Sequence, residues 1–263
     1  MHARSALFDL YGDHLLARGG WAPVSALVGL LGSLEISAPA VRTAVSRVVR
    51  EGWLEPVERE VRGYAATAQA RDRLAEAHRR IYRTQQPEWD GRWHLVTVER
   101  LADRGARAKL GQALGYLGYG RLAADTWVAP RESRELAATL VRAGAGHHAF
   151  HARHDGLDRA LVGKVWDLDR LGAAYQRFAD AALEAGSPTD PEQAFAARSD
   201  LVHAWRLFLF SDPGLPDEVL PPHWPGREAA SLFDRQAAAL MPLAASWVDT
   251  WLDGGPLAAR AGA

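Results

Sequence analysis

The 263-residue chain is long enough for two or three domains with a substantial core, and it has no cysteine, which excludes disulfides, thiolate metal sites and cysteine nucleophiles. Its net charge is −1, no apolar run is as long as a membrane span, and the charged amino-terminal residues His2, Arg4, Asp9 and Asp13 leave no room for a signal peptide, so a cytoplasmic globular protein is expected. The total hides an asymmetry: residues 1–86 hold 12 arginines, no lysine and 9 acids, a net +3, whereas the remainder nets −4. A basic amino-terminal part points to a nucleic-acid partner there.

Ala6, Leu7, Leu10, Leu15 and Leu16 fit an amphipathic helix from about Ala3 to Arg18, interrupted near Gly12 and closed by Gly19 and Gly20. A second helix starts at Pro23 and carries Val24, Leu27, Val28, Leu30 and Leu31 before Gly32. The third is bounded by its own chemistry: Ser37 as cap with an accepting hydroxyl, Pro39 in the first turn, Gly52 at the end. Val41, Ala44, Val45 and Val48 form its apolar stripe, leaving Arg42, Thr43, Ser46, Arg47 and Arg50 outward with no acid among them. Such a face suits a helix in the DNA major groove, where Arg reads guanine and small hydroxylated residues allow close approach. An ordinary arginine-rich surface helix has the same pattern.

Residues 53–57 and 61–65 follow as two extended runs joined by a polar turn, so three helices and a hairpin compose a winged helix-turn-helix, with Arg59, Arg62 and Tyr64 where a wing touches phosphate or the minor groove. Glu55, Glu58 and Glu60 dilute the positive potential there. Thr67 caps a helix to about Arg83, with Leu74, Ala77, His78 and Ile81 inward, and Gln85-Gln86-Pro87-Glu88 is a linker that ends a domain at residue 86.

Residues 87–163 are expected to form a second domain. A strand at Trp93–Val98, a helix from about Asp103 to Leu117, a strand at Thr126–Ala129, a helix capped by Ser133 and a strand at His148–Ala152 give the order of a ferredoxin-like α+β domain. Its last strand carries His147, His148, His151 and His154, but His147 and His151 share one face and His148 and His154 the other, so no three imidazoles converge without another segment. A metal site and a solvated strand with incidental histidines both remain open. Residues 164–263 are helical throughout, with breaks at Gly186–Pro188, Asp212–Pro216 and Leu220–Gly226. Trp166, Tyr175, Trp205 and Trp224, with Arg177, Arg198, Arg206 and Arg227, bring flat apolar surfaces and cations to this third domain, which suits either a ligand pocket or a helical core. No Gly-x-Ser-x-Gly, P-loop or His-Glu-x-x-His spacing occurs, so no enzyme is expected and no cofactor is required. Leu10-Tyr11-Gly12-Asp13 reads as a buried Tyr and Asp tying the first helix to its neighbours.

The order of Leu10-Tyr11-Gly12-Asp13, Arg18-Gly19-Gly20, Val41-Arg42-Thr43-Ala44-Val45-Ser46-Arg47, Gly52-Trp53-Leu54, Arg80-Ile81-Tyr82 and Trp89-Asp90-Gly91-Arg92-Trp93 resembles the PaaX family of bacterial transcriptional regulators. Leu201-Val202-His203, Asp212-Pro213 with Leu215-Pro216, and Trp224-Pro225-Gly226 continue the resemblance over the whole chain. It implies a winged-helix repressor that binds a palindromic operator in double-stranded DNA as a homodimer and is released by an aryl-CoA thioester, typically phenylacetyl-CoA. The effector would meet Trp166, Tyr175, Trp205, Arg206 and Trp224. The resemblance also likens the central domain to the small CRISPR-associated nuclease Cas2. Where such a nuclease needs an Asp at the end of its first strand this chain has Glu99, which weakens a nuclease reading. Glu58-Arg59-Glu60-Val61 in the wing and Leu207-Phe208-Leu209-Phe210 depart from the family pattern. The competing class is an acyl-CoA-binding enzyme with an appended winged helix.

Overall fold

The computed structural model describes residues 1–82 and 88–255. The linker expected at residues 85–88 lies, except for Glu88, outside them, as does the expected helix end at Arg83. The helices are α1 (Ala3–Leu10), α2 (Val24–Gly32), α3 (Ala38–Arg50), α4 (Ala68–Ile81), α5 (Arg104–Tyr116), α6 (Leu136–Ala143), α7 (Asp158–Val165), α8 (Leu168–Glu184), α9 (Pro191–Arg206) and α10 (Pro225–Leu252). The strands are β1 (Trp21–Pro23), β2 (Leu54–Glu58), β3 (Arg62–Ala66), β4 (Trp93–Val98), β5 (Gly120–Ala123), β6 (Thr126–Ala129) and β7 (His147–Ala152). They divide into two compact units: Met1–Gln85 with Ala179–Arg206 and Ala230–Ala263, and Gln86–Phe178 with Leu207–Ala229.

In the first unit the apolar stripes of α1, α2 and α3 meet in one core of Leu7, Leu10, Leu15, Leu27, Leu30, Leu31, Val41, Val45 and Val48. Phe195 of α9 and Ala244 and Val248 of α10 complete it. At Gly12 the first helix widens into a π turn at Tyr11–Leu15, then tightens to Arg18 and stops at Gly19 with φ 85°. This places the break where the glycine was expected, yet keeps Tyr11, His14 and Leu15 buried.

The expected hairpin gains a third strand, and the antiparallel order is β1-β3-β2. Three residues are too few for an alternating pattern to announce β1, so sequence reasoning gives Trp21 no strand and starts the next helix at Pro23. A Cβ at Gly63 would lie 2.5 Å from the Ala22 carbonyl oxygen, so glycine is what lets β3 close against β1. Thr67 caps α4 as expected, its hydroxyl accepting from the Ala70 amide at 3.2 Å. Ser37 occupies the cap position of α3 with extended backbone but makes no side-chain cap bond. His78, expected inward, is exposed, its ring 4.5 Å from that of Tyr82.

The second unit runs strand, helix, strand, strand, helix, strand, with sheet order β5-β6-β4-β7 and every neighbouring pair antiparallel. This is the split βαβ arrangement. Strand β5, missed in the sequence, is four residues long and interrupted by an irregularity between Arg121 and Ala123. Side chains of β4 alternate between two cores: Val96 and Val98 pack under Leu110, Leu114, Leu136 and Leu140, while Trp93 packs with Val128, Leu161 and Val162. Edge strand β7 is exposed at its first five residues, which its histidines tolerate. Ser133 does not cap α6: the helix begins at Leu136, and the Ser133 hydroxyl accepts from the Glu135 amide instead. Helix α7 also escaped sequence reasoning, and Trp166 stands between α7 and α8 in extended conformation rather than leading a continuous helix.

Candidate nucleic-acid interface

On α3 the division expected from spacing is realised: Val41, Ala44, Val45 and Val48 are buried, and Arg42, Thr43, Ser46, Arg47 and Arg50 are exposed. Two of these side chains are already engaged. The Thr43 hydroxyl donates to the Pro39 carbonyl at 2.9 Å, which turns its oxygen toward the helix backbone. Arg47 Nε donates to Glu51 Oε1 at 3.0 Å, while Arg4 donates to Glu51 Oε2 at 2.8 Å. Glu51, one residue past the helix, is therefore an acid at the edge of a face that looked purely basic. Hydrogen bonds from Arg4 and Arg47 hold its carboxyl below the usual carboxylate range. Arg42 and Arg50 make no ion pair among the described residues, so their guanidinium forks remain available to a phosphate or a guanine edge.

On the hairpin, Arg59 lies at the turn with its guanidinium 4.5 Å from the centre of the Trp21 ring, a cation–π contact that holds the side chain to the sheet. Arg62 is exposed opposite Glu58 in the strand register. Tyr64 is half-buried against the amino-terminal core, and its carbonyl accepts from the Tyr11 hydroxyl at 2.9 Å. Arg59 and Arg62 thus remain at the surface, and Tyr64 serves packing in part.

The helical module rests on two buried carboxylates, Asp13, which sequence reasoning placed without its partner, and Asp9, which it did not place. Arg198 of α9, 2% exposed, donates Nε to Asp13 Oδ2 at 2.7 Å and Nη2 to Asp13 Oδ1 at 2.8 Å. It also donates to the Tyr82 hydroxyl at 2.8 Å and to the Ala237 carbonyl. The Tyr82 hydroxyl in turn donates to Asp13 Oδ1 at 2.8 Å. Burial by itself would raise the Asp13 pKa, but the Arg198 charge, neighbouring His14 and these hydrogen bonds outweigh it and hold the carboxyl below its ordinary value. His14, 3.2 Å from Asp13 Oδ2, is pushed down to about 4, chiefly by burial, and is neutral at pH 7. One turn earlier, Asp9 accepts from His203 Nδ1 at 2.9 Å and forms an ion pair with Arg206, whose Nε lies 2.9 Å from its other oxygen. Tyr11 and Asp13 thus tie the first helix to its neighbours, as expected.

The residues expected at an effector are placed as follows. Trp205 stacks on Phe233 with ring centres 4.9 Å apart and donates to the Ile81 carbonyl, and Arg206 lines a small cleft with Phe8, Asp9, Leu74, Tyr82 and Val202; both belong to the first unit. Trp166, Tyr175 and Trp224 belong to the second. There Trp166 stacks on Trp93 at 5.9 Å, and Tyr175 lies parallel to Phe208 at 4.1 Å and edge-on to Trp224 at 6.1 Å. The accompanying cations are largely committed: Arg198 to Asp13, Arg206 to Asp9 and Arg227 to Asp217 at 3.0 Å. Glu99, at the nuclease position, packs its carboxylate against Gly146, and its amide donates to the Gly146 carbonyl at 2.7 Å. Among the described residues, no helix is long and apolar enough to cross a membrane.

Comparison with known proteins covers nearly all of this architecture. Three family models match in order: PaaX-like protein over residues 2–70, the PaaX protein central Cas2-like domain over 86–160, and the PaaX-like protein C-terminal domain over 166–250. The transcriptional repressor PaaX of Escherichia coli strain K12 is 32% identical over 260 residues, covering 93% of this chain and 82% of the relative. The solved structure of the uncharacterized protein Rv0674 from Mycobacterium tuberculosis superposes with a TM-score of 0.65 at 26% identity, over 92% of this chain and 97% of that one. With its three parts matched in sequence and the whole chain alike a repressor at this identity, the protein belongs to the PaaX-like family.

Proposed function

We propose that this protein is a DNA-binding transcriptional repressor of an aromatic-acid catabolic operon of the phenylacetate type, acting in the cytoplasm. The observation that carries the reading is α3: an apolar stripe locked into the core and an exposed face of Arg42, Thr43, Ser46, Arg47 and Arg50, in a chain similar over 93% of its length to a repressor. In this reading residues 1–86 are a winged helix-turn-helix module, α3 enters the major groove, and the β2–β3 hairpin brings Arg59 and Arg62 to the flanking backbone. Arg42 contacts phosphate and Arg47 a base edge, after exchanging Glu51 for DNA. The operator is palindromic and the protein a homodimer, since a module of net +3 holds a single half-site weakly and two-fold symmetry matches an inverted repeat. An aryl-CoA thioester such as phenylacetyl-CoA releases it by binding the DNA-incompetent dimer more tightly than the competent one.

The test is a gel shift on the DNA immediately upstream of the protein's own coding region, with and without aryl-CoA thioesters. A specific shift that Arg47→Ala weakens about tenfold or more, with folding intact, supports the reading. Unchanged operator affinity in both Arg42→Ala and Arg47→Ala removes α3 from the groove. Calorimetry with phenylacetyl-CoA and light scattering at micromolar protein test effector and dimer separately.

A further inference from the structure

The histidine-rich strand finds the second segment it needs. Cross-strand register in the second unit sets His94 of β4 directly opposite His151 of β7, and directly opposed residues of a pair project to the same face. On its other side His94 is opposite Ala129, the last residue of β6, and three residues further on the chain turns back to bring in Glu132. One ligand atom each of His94, Glu132 and His151 lie within 4.8 Å of one another, and among the described residues no other three such side chains converge. The imidazole centres of His94 and His151 are 4.8 Å apart, and His151 Nε2 is 3.9 Å from Glu132 Oε2.

The surroundings prepare these groups for a cation. His94 is buried, and its Nδ1 is 2.7 Å from the hydroxyl of buried Tyr119, which leaves Nε2 for a ligand. That hydroxyl also accepts from the Ser133 amide at 3.3 Å, so one oxygen fixes both the His94 ring and the backbone beside Glu132. This is the outer-shell bond that orients a metal-binding imidazole. The adjacent cations point elsewhere: Arg131 donates to the Gly214 carbonyl and Arg153 to the Asp90 carbonyl.

We infer that His94, Glu132 and His151 bind a zinc-class divalent metal ion, with water completing the coordination. Two imidazoles and a carboxylate suit zinc, and a closure of about an ångström brings ligand atoms to zinc distances near 2.0–2.1 Å. The site lies at the start of β4, at the opposite end of the strand from Glu99, so it is separate from the nuclease position. Bound metal pins the Glu132 loop to edge strand β7.

The test uses the full chain stripped with a chelator and titrated calorimetrically with zinc chloride, and separately with cobalt(II) to record its visible bands. One equivalent per chain, bound at micromolar affinity or tighter and raising the melting temperature, is expected. His151→Ala and Glu132→Ala change exposed side chains, so the fold persists; each weakens binding about tenfold or more. His148→Ala, on the opposite face of β7, leaves affinity unchanged. Absence of zinc binding, or wild-type affinity in both ligand variants, overturns the assignment. Neither result depends on whether the chain represses transcription.

Discussion

Replacing Arg198 with methionine keeps an unbranched apolar stem in the buried position and removes the guanidinium. Asp13 then retains the Tyr82 hydroxyl as a donor and neutral His14 at 3.2 Å, but loses two charge-assisted bonds and its counter-ion. Breaking a buried pair by removing one partner costs about 3–5 kcal/mol, because an uncompensated charge stays behind. At roughly 2–4 °C per kcal/mol for a chain of this size, the melting temperature falls by about 6–20 °C. The pH dependence is diagnostic. In the wild type the depressed Asp13 pKa contributes stability that is present above its unfolded value and is lost as the pH falls through the folded value. Without Arg198, burial prevails and raises that pKa, so the deficit is largest at neutral pH and shrinks on acidification. Asp13→Asn in the Arg198→Met background recovers part of the loss at pH 7. Thermal melts followed by circular dichroism from pH 5 to 8 measure all of this. A midpoint unchanged at pH 7.5, or a deficit that grows toward pH 5, refutes the ion-pair reasoning.

Neutral burial of His14 acts in the same pH direction as Asp13 but from burial rather than pairing: its folded pKa of about 4 lies below the ordinary 6.5, so between these values the unfolded chain binds more protons and stability is lost as the pH falls. Melts of His14→Phe should show that component gone, a difference on the order of 2 kcal/mol at pH 5. Glu51→Gln frees Arg4 and Arg47 and removes a negative charge beside the α3 face; titration of operator DNA by fluorescence anisotropy should give about two- to tenfold tighter binding. Weaker binding would mean that Glu51 aims Arg47 rather than competing for it. Gly63→Ala sets a methyl 2.5 Å from the Ala22 carbonyl oxygen, where backbone cannot yield cheaply, and should cost about 1–3 kcal/mol by chemical denaturation.

Local periodicity carried the sequence reading wherever one element decides its own two faces. The α3 stripe and the bounds of β4 and β6 were legible because burial follows a repeat of three and four, or of two, within a single segment. The Arg47–Glu51 pair was also within reach, four residues apart and inside the stretch read as a helix from Ser37 to Gly52, but the outward face was read as carrying no acid. Other features depended on distant partners. Nothing around Asp13 names Arg198, 185 residues away, and nothing in the histidines of β7 names His94, since strand register is set by the whole sheet. The aromatic and cationic side chains of the carboxy-terminal part supplied the right chemistry for a pocket, yet Trp205 and Arg206 fold into one unit and Trp166, Tyr175 and Trp224 into the other. Chain adjacency does not report that division.

The first unit is assembled from segments far apart in the sequence, and this bears on how it comes into being on the ribosome. Its first 82 residues hold α1, α2 and α3, but Phe195, Ala244 and Val248 close their core, and Arg198 neutralises Asp13. A nascent chain emerging at about 5–20 residues per second must therefore wait several seconds or more between the two halves of the same core. Over that interval the amino-terminal core lacks the part of its cover that Phe195, Ala244 and Val248 supply, and Asp13 lacks its counter-ion. A chain that stops before α10 leaves the core beneath α3 without Ala244 and Val248, so α3 stands on a finished scaffold only once α10 has been made.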